Sequence, residues 1–578
     1  MRSGTRGSGG AGVAAALILA ALCLQAWPTL RLKSPTFDEP AHIAAGMSYL
    51  LTGEFRINLQ HPPLLKEIGA VPLVLAGTRW PVTPEAWKAI GADPDPALQW
   101  EIGQGVLYQN DPGRVMFLSR LPFLGLTLLL GWAIYAWGRQ MLGPLPAVAA
   151  LLLCAFDPSI VAHGILVATD TGFALFTVLF LWALWRYLNH RSLRRLVLCG
   201  LALGGALGAK FSGVVLLPVA LVVLILATRW IPASVPRQSS GLVDPYAGET
   251  GGPRIVYCLC FALALLAIAV GVIQLLYFLP RNPFLYLQGI ARVNADHNPT
   301  YLPYMAGRFQ PLFWSYYAVA YLLKEPLPAI VLAAIGGARL LRPGGGVPAM
   351  DRAFLLLPPL ALFAFYTGLL HLPLRLFFAV PLPHNLGFRY LIPALPFLYL
   401  VGGVGAQSLW ESGVWWRRLG LVALLAWIVA GAAGIYPDHL SYFNETACLL
   451  SKPSKVGLDG GSACGPLWLD DSNVDWGQGL GQLKAWLDAN APGRRIGLAY
   501  FGTAVPQRHG LVFDRLTVDD VVQGLPPGLH AISSHLLARA IGRLGGGFGA
   551  APDNWILRTP PRAVVGHAFY IYDVRPAP

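Results

Sequence analysis

The sequence predicts a mainly α-helical, polytopic membrane protein of about eleven helices, with a long first outer loop and a small extracytoplasmic α/β domain at its C-terminal end. Three observations lead there. Hydrophobic residues make up 55% of the 578 positions, charged ones only 12%, and the mean hydropathy is +0.54. The apolar residues gather in runs of about 18 or more, enough to cross a hydrocarbon core roughly 30 Å thick. The cations fall between those runs instead of along one stripe, so the formal charge of +13 does not describe a nucleic-acid partner.

The first apolar run begins near Gly12, behind MRSGTRGSGG. No A-x-A-like cleavage site precedes the charged stretch after it, so it reads as an uncleaved first helix. Further runs begin near Val115, Pro144, Thr171, Leu196, Ser212, Val256, Phe313, Ala353, Tyr390 and Leu419, with short pieces on either side of Lys210. Arg139, the stretch RYLNHRSLRR (186–195), Arg229 with Arg237 and Arg254, Arg339 with Arg342 and Arg352, and Arg417 with Arg418 occupy alternate connections. By the positive-inside rule those connections are cytoplasmic. The N-terminus is then inside. The first loop, the turn FDPSIVAHGILVATD, the segments near 281–312 and 372–388, and everything after Tyr436 lie outside.

Residues 31–114 form an outer loop too long to be a mere connection. Asp38 or Thr36 can cap a helix over EPAHIAAGMSYL, whose early Pro40 suits the first turn. HPPLLKEIGAVPLVLAG begins a second, shorter helix after a double-proline turn, and both helices are expected to lie along the interface. IPASVPRQSSGLVDPYAGETGGPR is an inner, flexible linker. Beyond Tyr436, RRIGLAYFG, GLHAIS and AFYIYDV have strand composition and GQGLGQLKAWLDA a helical one, which predicts an α/β unit over 437–578 after a membrane unit over 1–436. Cys448 and Cys464 are the only cysteines of that outer unit and lie sixteen positions apart across turn-forming residues. A disulfide is expected there, the alternative being two free thiols.

In so apolar a chain, function is sought where ionisable groups are dense. SPTFDEPAHIAAGMSYLLTGEFRINLQHPPLLKEIG (34–69), directly after the first span, holds Asp38, Glu39, His42, Glu54, His61, Lys66 and Glu67. Asp38 admits two compatible roles, helix cap and general base, because a capping carboxylate keeps one oxygen free. Glu39 favours the same helix dipole. His42, one turn on, reads as a snorkelling side chain before a metal ligand or a carboxylate orienter. Asp170 in VATDTG stands at the outer entrance of a membrane helix, as cap or as functional carboxylate. Lys210 in LGAKFSG and Arg389 in HNLGFRYLIPALPFL occupy outward helix entrances too, where snorkelling is again the alternative. Carboxylates and cations gathered at separate helix entrances on one side suit a lipid-borne phosphate whose tail lies among the helices. His42, His61, His163 and His384 face outward without ligand spacing, so no metal is assigned.

FDEPAHIAAGMSYLLTGEFRINLQHPPLLKEI, ATDTG, GAKFSG and GFRYLIPALPFL occur in an order that resembles bacterial GT-C membrane glycosyltransferases related to protein O-mannosyltransferases and the lipid A aminoarabinose transferase. YPDHLSYFNE and WLDDSNVDWGQGLGQLKAWL resemble the outer tail of one bacterial branch, so the resemblance spans nearly the whole chain. Its specific part is the acidic pair with the downstream HPP. The resemblance implies an inner-membrane enzyme that takes a sugar from a polyprenyl-phosphate-linked donor to an extracytoplasmic acceptor on lipid, glycan or protein. It implies Asp38 and Glu39 as the catalytic pair, with Asp38 activating the acceptor, and Asp170, Lys210, Arg389 and His61 around the donor. There are departures: Gly172 replaces the proline of a TDxP-like motif, and the C-terminal region differs from the repeat domains of eukaryotic mannosyltransferases, so their protein acceptors do not carry over.

The chemistry suits these residue types. A prenyl phosphate is already a good leaving group, so what remains is to deprotonate an acceptor hydroxyl, typically worth about 10²–10⁴-fold. The charge on the departing phosphate is then held by Lys, Arg or a divalent metal ion. Backside attack inverts the anomeric centre. A lipid or solute transporter or flippase, a non-enzymatic envelope assembly protein and a glycan ligase using a pyrophosphate-linked donor are the other readings. A transporter would place its charges at broken helices near the midplane of two related halves; here they lie at the outer edge, with no duplication.

Overall fold

A computed structural model describes residues 8–91, 94–230, 252–295, 300–370, 385–545 and 554–575. Seven described helices are long and apolar enough to cross a membrane: Gly10–Leu32, Pro112–Met141, Asp170–Asn189, Cys258–Leu276, Ala349–Tyr366, Phe388–Trp410 and Trp415–Ile435. An eighth span results if Tyr316–Lys324 and Leu327–Leu341, bent by 114°, are one crossing. Pro326 stands at that bend, where a missing N–H and a fixed φ stop the first helix from continuing. The chain is a multi-pass membrane protein.

All eleven expected apolar runs are helical, and among the described residues seven or eight of them are long and apolar enough to span. Three runs are short. Pro144–Ala155 has 12 residues, about 18 Å at 1.5 Å each, and ends where Asp157 caps the next turn through the amides of Ser159 and Ile160. Leu193–Ala209 stops at Lys210, whose backbone is extended (φ −154°, ψ 136°), and Leu216–Trp230 resumes after a 3₁₀ turn. The inner linker and the outer segment near 372–388 fall largely outside the described residues.

Small residues set the closest helix crossings, as expected where lipid gives no hydrophobic drive for helices to associate. Between Leu327–Leu341 and Leu395–Trp410, a Cβ on Gly336 would lie 1.8 Å from the Val401 carbonyl oxygen, and one on Gly405 2.1 Å from that of Leu332.

The first loop folds into Glu39–Thr52, Leu64–Leu75, Pro84–Ala89 and Leu98–Tyr108. The expected interfacial placement does not hold for Glu39–Thr52: every residue from Glu39 to Tyr49 is buried by protein. It crosses Leu64–Leu75 at Gly46, where a Cβ would come within 2.1 Å of the Lys66 carbonyl oxygen.

After Tyr436 the chain runs in short turns over the helix ends, closed by a Cys448–Cys464 disulfide with a Cα–Cα distance of 5.3 Å. A five-stranded sheet follows, built from β3 (Ile496–Ala499), β4 (Phe513–Arg515), β5 (Gly528–Ser533), β6 (Ala563–Val565) and β7 (Phe569–Val574) in the order β4-β3-β5-β7-β6. β3 pairs in parallel with β4 and β5, and β7 antiparallel with β5 and β6. Alternation along the strands gives each face a core: Leu529, Ala531 and Ile571 join Leu480, Leu483 and Leu487, while Ile532, Tyr570 and Tyr572 join Leu537 and Ile541. An earlier hairpin, β1 (Tyr304–Met305) with β2 (Arg308–Phe309), meets this region through the Ala306 amide, which donates to the Trp468 carbonyl at 2.8 Å.

Candidate active site

Asp38 ends the strap that leaves the first helix and precedes Glu39–Thr52. Its carboxylate makes no cap hydrogen bond to that helix. Oδ2 instead accepts from Arg389 Nη1 at 3.0 Å, and the side chain is 23% exposed. Oδ1 has no protein partner among the described residues. Of the two sequence readings, the cap therefore fails and an available carboxylate oxygen remains.

Glu39 has the opposite surroundings. It is fully buried, and Oε1 accepts from Arg120 Nε at 2.8 Å and the Val167 amide at 3.1 Å. Oε2 accepts from Arg120 Nη2 at 2.5 Å and from the Thr36 amide and hydroxyl at 2.8 and 3.0 Å. Burial alone would raise its pKa, but the Arg120 guanidinium outweighs it and holds the carboxyl below its usual range. Arg120 in turn donates to the carbonyls of Leu30, Lys33 and Ser34. With both oxygens occupied, Glu39 has none to offer a substrate. It ties the strap to the helix Pro112–Met141 and thereby aims its neighbour Asp38. The pair read from the sequence thus divides into one partly exposed carboxylate with a free oxygen and one fully buried carboxylate held by Arg120.

Asp170 opens the helix Asp170–Asn189, and its Oδ1 accepts from Lys210 Nζ at 2.5 Å. Both residues are buried, and Asp170 Oδ2 has no partner among the described residues. Lys210 also lies over the Tyr390 ring at 4.1 Å. Arg389 stands in the 3₁₀ turn Phe388–Ala394 with its Cζ 4.1 Å above the Trp476 ring, and interacts electrostatically with Asp170 as well as Asp38. The structure thus brings Asp38, Asp170, Lys210 and Arg389 together from four distant segments.

His42 and His61 lie beside them, ring to ring at 5.1 Å and 83°. His42 does not snorkel: it is buried, and Nδ1 donates to the Val167 carbonyl at 2.7 Å. Burial pushes both imidazoles down, so both are neutral at pH 7. Lys66 anchors the HPP turn: Nζ donates to the carbonyls of Asn58 and His61, each at 2.7 Å, and to the Tyr49 hydroxyl at 2.9 Å. Among the described residues, no three His, Cys, Asp or Glu side chains are grouped to hold a metal ion.

Sequence reading missed Arg120, Asn473 and Trp476. Arg120 had a signal, being a lone cation inside an apolar run. Asn473 and Trp476 had none beyond the composition of DDSNVDWGQ, because their relevance comes from long-range contact. Asn473 Oδ1 accepts the Phe388 amide at 2.8 Å, directly beside Arg389.

Fold and site define a polytopic membrane protein with acid–base pairs clustered at its helix termini. Residues 112–243, which include Arg120, Asp170 and Lys210, match the family model described as dolichyl-phosphate-mannose-protein mannosyltransferase. It is this segment that is similar to that mannosyltransferase family. Solved structures that align with it include ArnT from Cupriavidus metallidurans bound to undecaprenyl phosphate, at 12% identity and a TM-score of 0.48 over 96% of this chain and 97% of that one. The archaeal oligosaccharyltransferase AglB from Archaeoglobus fulgidus, in complex with an inhibitory peptide and a dolichol-phosphate, aligns at 12% identity and a TM-score of 0.44, over 82% and 58%. The S. cerevisiae protein O-mannosyltransferase Pmt1–Pmt2 complex bound to the sugar donor aligns at 15% identity and a TM-score of 0.30, over 53% and 36%. No curated protein matches the chain.

Proposed function

We propose that this protein is a glycosyltransferase of a bacterial inner membrane that moves a sugar, with inversion, from a polyprenyl-phosphate-linked donor to an extracytoplasmic acceptor hydroxyl. In this reading 1–436 is the membrane-embedded catalytic unit, 437–578 is an extracytoplasmic α/β unit, and the N-terminus is inside. The observation that carries it is the convergence of the Asp38–Arg389 and Asp170–Lys210 pairs, at 3.0 and 2.5 Å. The family description over 112–243, which names a prenyl-phosphate sugar donor, supports it.

The reaction follows from the charges. Asp38 Oδ1 takes the acceptor proton as the acceptor oxygen attacks the anomeric carbon. On the opposite face the bond from that carbon to the phosphate oxygen breaks, and the electron pair leaves with the phosphate. Arg389 and Lys210 hold that charge; a unit charge pair at 4 Å is worth about 4 kcal/mol at an effective dielectric of 20. Asp170 orients Lys210. At rest each cation is neutralised by its carboxylate, and the incoming phosphate competes for it.

The test is a mass-spectrometric comparison of envelope glycolipids and glycoproteins with and without the gene. One component should lose one sugar increment, restored by the wild type and not by Asp38→Asn. An envelope unchanged in mass would remove the transfer reading.

A further inference from the structure

Asp38 and Arg389 are 351 positions apart, and the outer segment 470–478 touches Phe37, one residue before Asp38, and the side chain of Arg389. The Trp476 carbonyl accepts the Phe37 amide at 2.8 Å, one residue before Asp38, and the Gln478 carbonyl accepts that of Ser34 at 3.0 Å. The Phe37 carbonyl is also occupied, by the Thr503 hydroxyl at 2.8 Å and Trp100 Nε1 at 3.2 Å. Its ring stacks on Phe501 with centroids 5.3 Å apart. The strap carrying Asp38 is therefore held on three sides by residues far away in the chain.

The same segment holds the other partner. Asn473 Oδ1 accepts the Phe388 amide, and Ser472 Oγ donates to the Leu386 carbonyl at 3.3 Å. Asn473 is itself fastened to the bundle, because Lys324 Nζ donates to its carbonyl at 2.6 Å. The buried Trp476 ring (2% exposed) then forms the floor beneath the Arg389 guanidinium. Only one edge of that guanidinium is used by Asp38: its Nε is buried with no partner among the described residues. A planar cation stacked on an aromatic face keeps its edge donors free for an anion.

We propose that the segment Asp470–Gln478 is part of the active centre and that Trp476 is its positioning residue, setting Asp38 through its carbonyl and Arg389 through its ring. The outer region then completes the site instead of merely covering it. The positioning is a statement about two loops; its consequence for phosphate binding rests on the proposed function.

The full-length protein in nanodiscs tests this with Trp476→Leu and Trp476→Phe. Hydrogen exchange of peptides spanning 34–40 and 385–392, without substrate, reads positioning alone. Binding of undecaprenyl phosphate, the probe, reads its consequence. The Trp476 ring also shares one apolar cluster with Phe37 and Phe501, so Trp476→Leu should lose protection in both peptides and bind the probe about 2- to 30-fold more weakly, while Trp476→Phe retains both. Wild-type exchange in Trp476→Leu, or equal losses in the two variants, would overturn the proposal. If the wild type does not bind the probe, the lipid-phosphate reading fails, and the exchange comparison still decides the positioning by the same criterion.

Discussion

Asp38 and Glu39 are adjacent in the chain, yet their environments assign them different work. Asp38→Asn keeps a hydrogen-bonding amide where the carboxylate was only partly exposed. Thermal unfolding should stay near wild type while turnover falls about 10²–10⁴-fold, measured by donor-dependent transfer in nanodiscs. Glu39→Gln leaves the Arg120 guanidinium buried without a counter-charge, a change that typically costs about 3–5 kcal/mol. Its signature should be a lowered midpoint, with turnover per folded molecule falling far less than in Asp38→Asn. A stable, inactive Glu39→Gln would return Glu39 to the chemistry. The Asp170–Lys210 pair predicts coupling of the same origin: each of Asp170→Asn and Lys210→Met strands one buried charge, so the double variant should unfold at a higher temperature than either single one. Strict additivity in that cycle would show that the two side chains do not interact.

At the scale of elements, the crossing of Glu39–Thr52 with Leu64–Leu75 sets the geometry of the first loop. Gly46 lets a backbone carbonyl occupy the place of a side chain, and that carbonyl belongs to Lys66, whose amine ties down Asn58 and His61. Gly46→Ala forces the helices apart at a backbone that cannot yield as a side-chain end could. It should cost about 1–3 kcal/mol and loosen His61 beside the site. Hydrogen exchange of the 57–66 peptide, which should rise, checks this together with the melting temperature. The short helices follow similar local logic: Asp157 and Lys210 interrupt apolar runs, and the second interruption puts an amine at the candidate site.

For the whole molecule, His567 joins three parts of the chain. Its Nδ1 lies 3.1 Å from Asp438 and its Nε2 3.0 Å from Asp459, while Asp438 also pairs with Lys33 at the end of the first helix. Burial would lower the imidazole pKa, but the hydrogen bonds to the two carboxylates prevail and raise it to about 9. A base raised in the folded state stabilises fully below its unfolded value, near 6.5, and loses that contribution as pH rises through about 9, at about 1.4 kcal/mol per unit. Glu67 and Asp475, pushed up to about 7 by burial, also make stability fall with rising pH, but below pH 7. The difference in melting temperature between wild type and His567→Gln therefore isolates His567, and it should shrink between pH 7 and 9. An unchanged slope in that variant would place the titrating group elsewhere.

The sequence alone determined what depends on composition and on short-range pattern. Apolar runs separated by arginines specify membrane helices, because in lipid only a helix satisfies its backbone within a single segment. Cys448 and Cys464 were legible as a pair because they are the only two cysteines after Tyr436. Asp38, Asp170, Lys210 and Arg389 stood out because a charge is costly beside hydrocarbon and is retained for a reason. Tertiary structure decided which charge meets which. It gave Glu39 to Arg120 and freed Asp38 from capping, it buried a helix that composition would have left at the interface, and it brought Trp476 beneath Arg389. Those outcomes rest on contacts between residues tens to hundreds of positions apart, where the energy lies in burial and geometry that no local stretch of sequence contains.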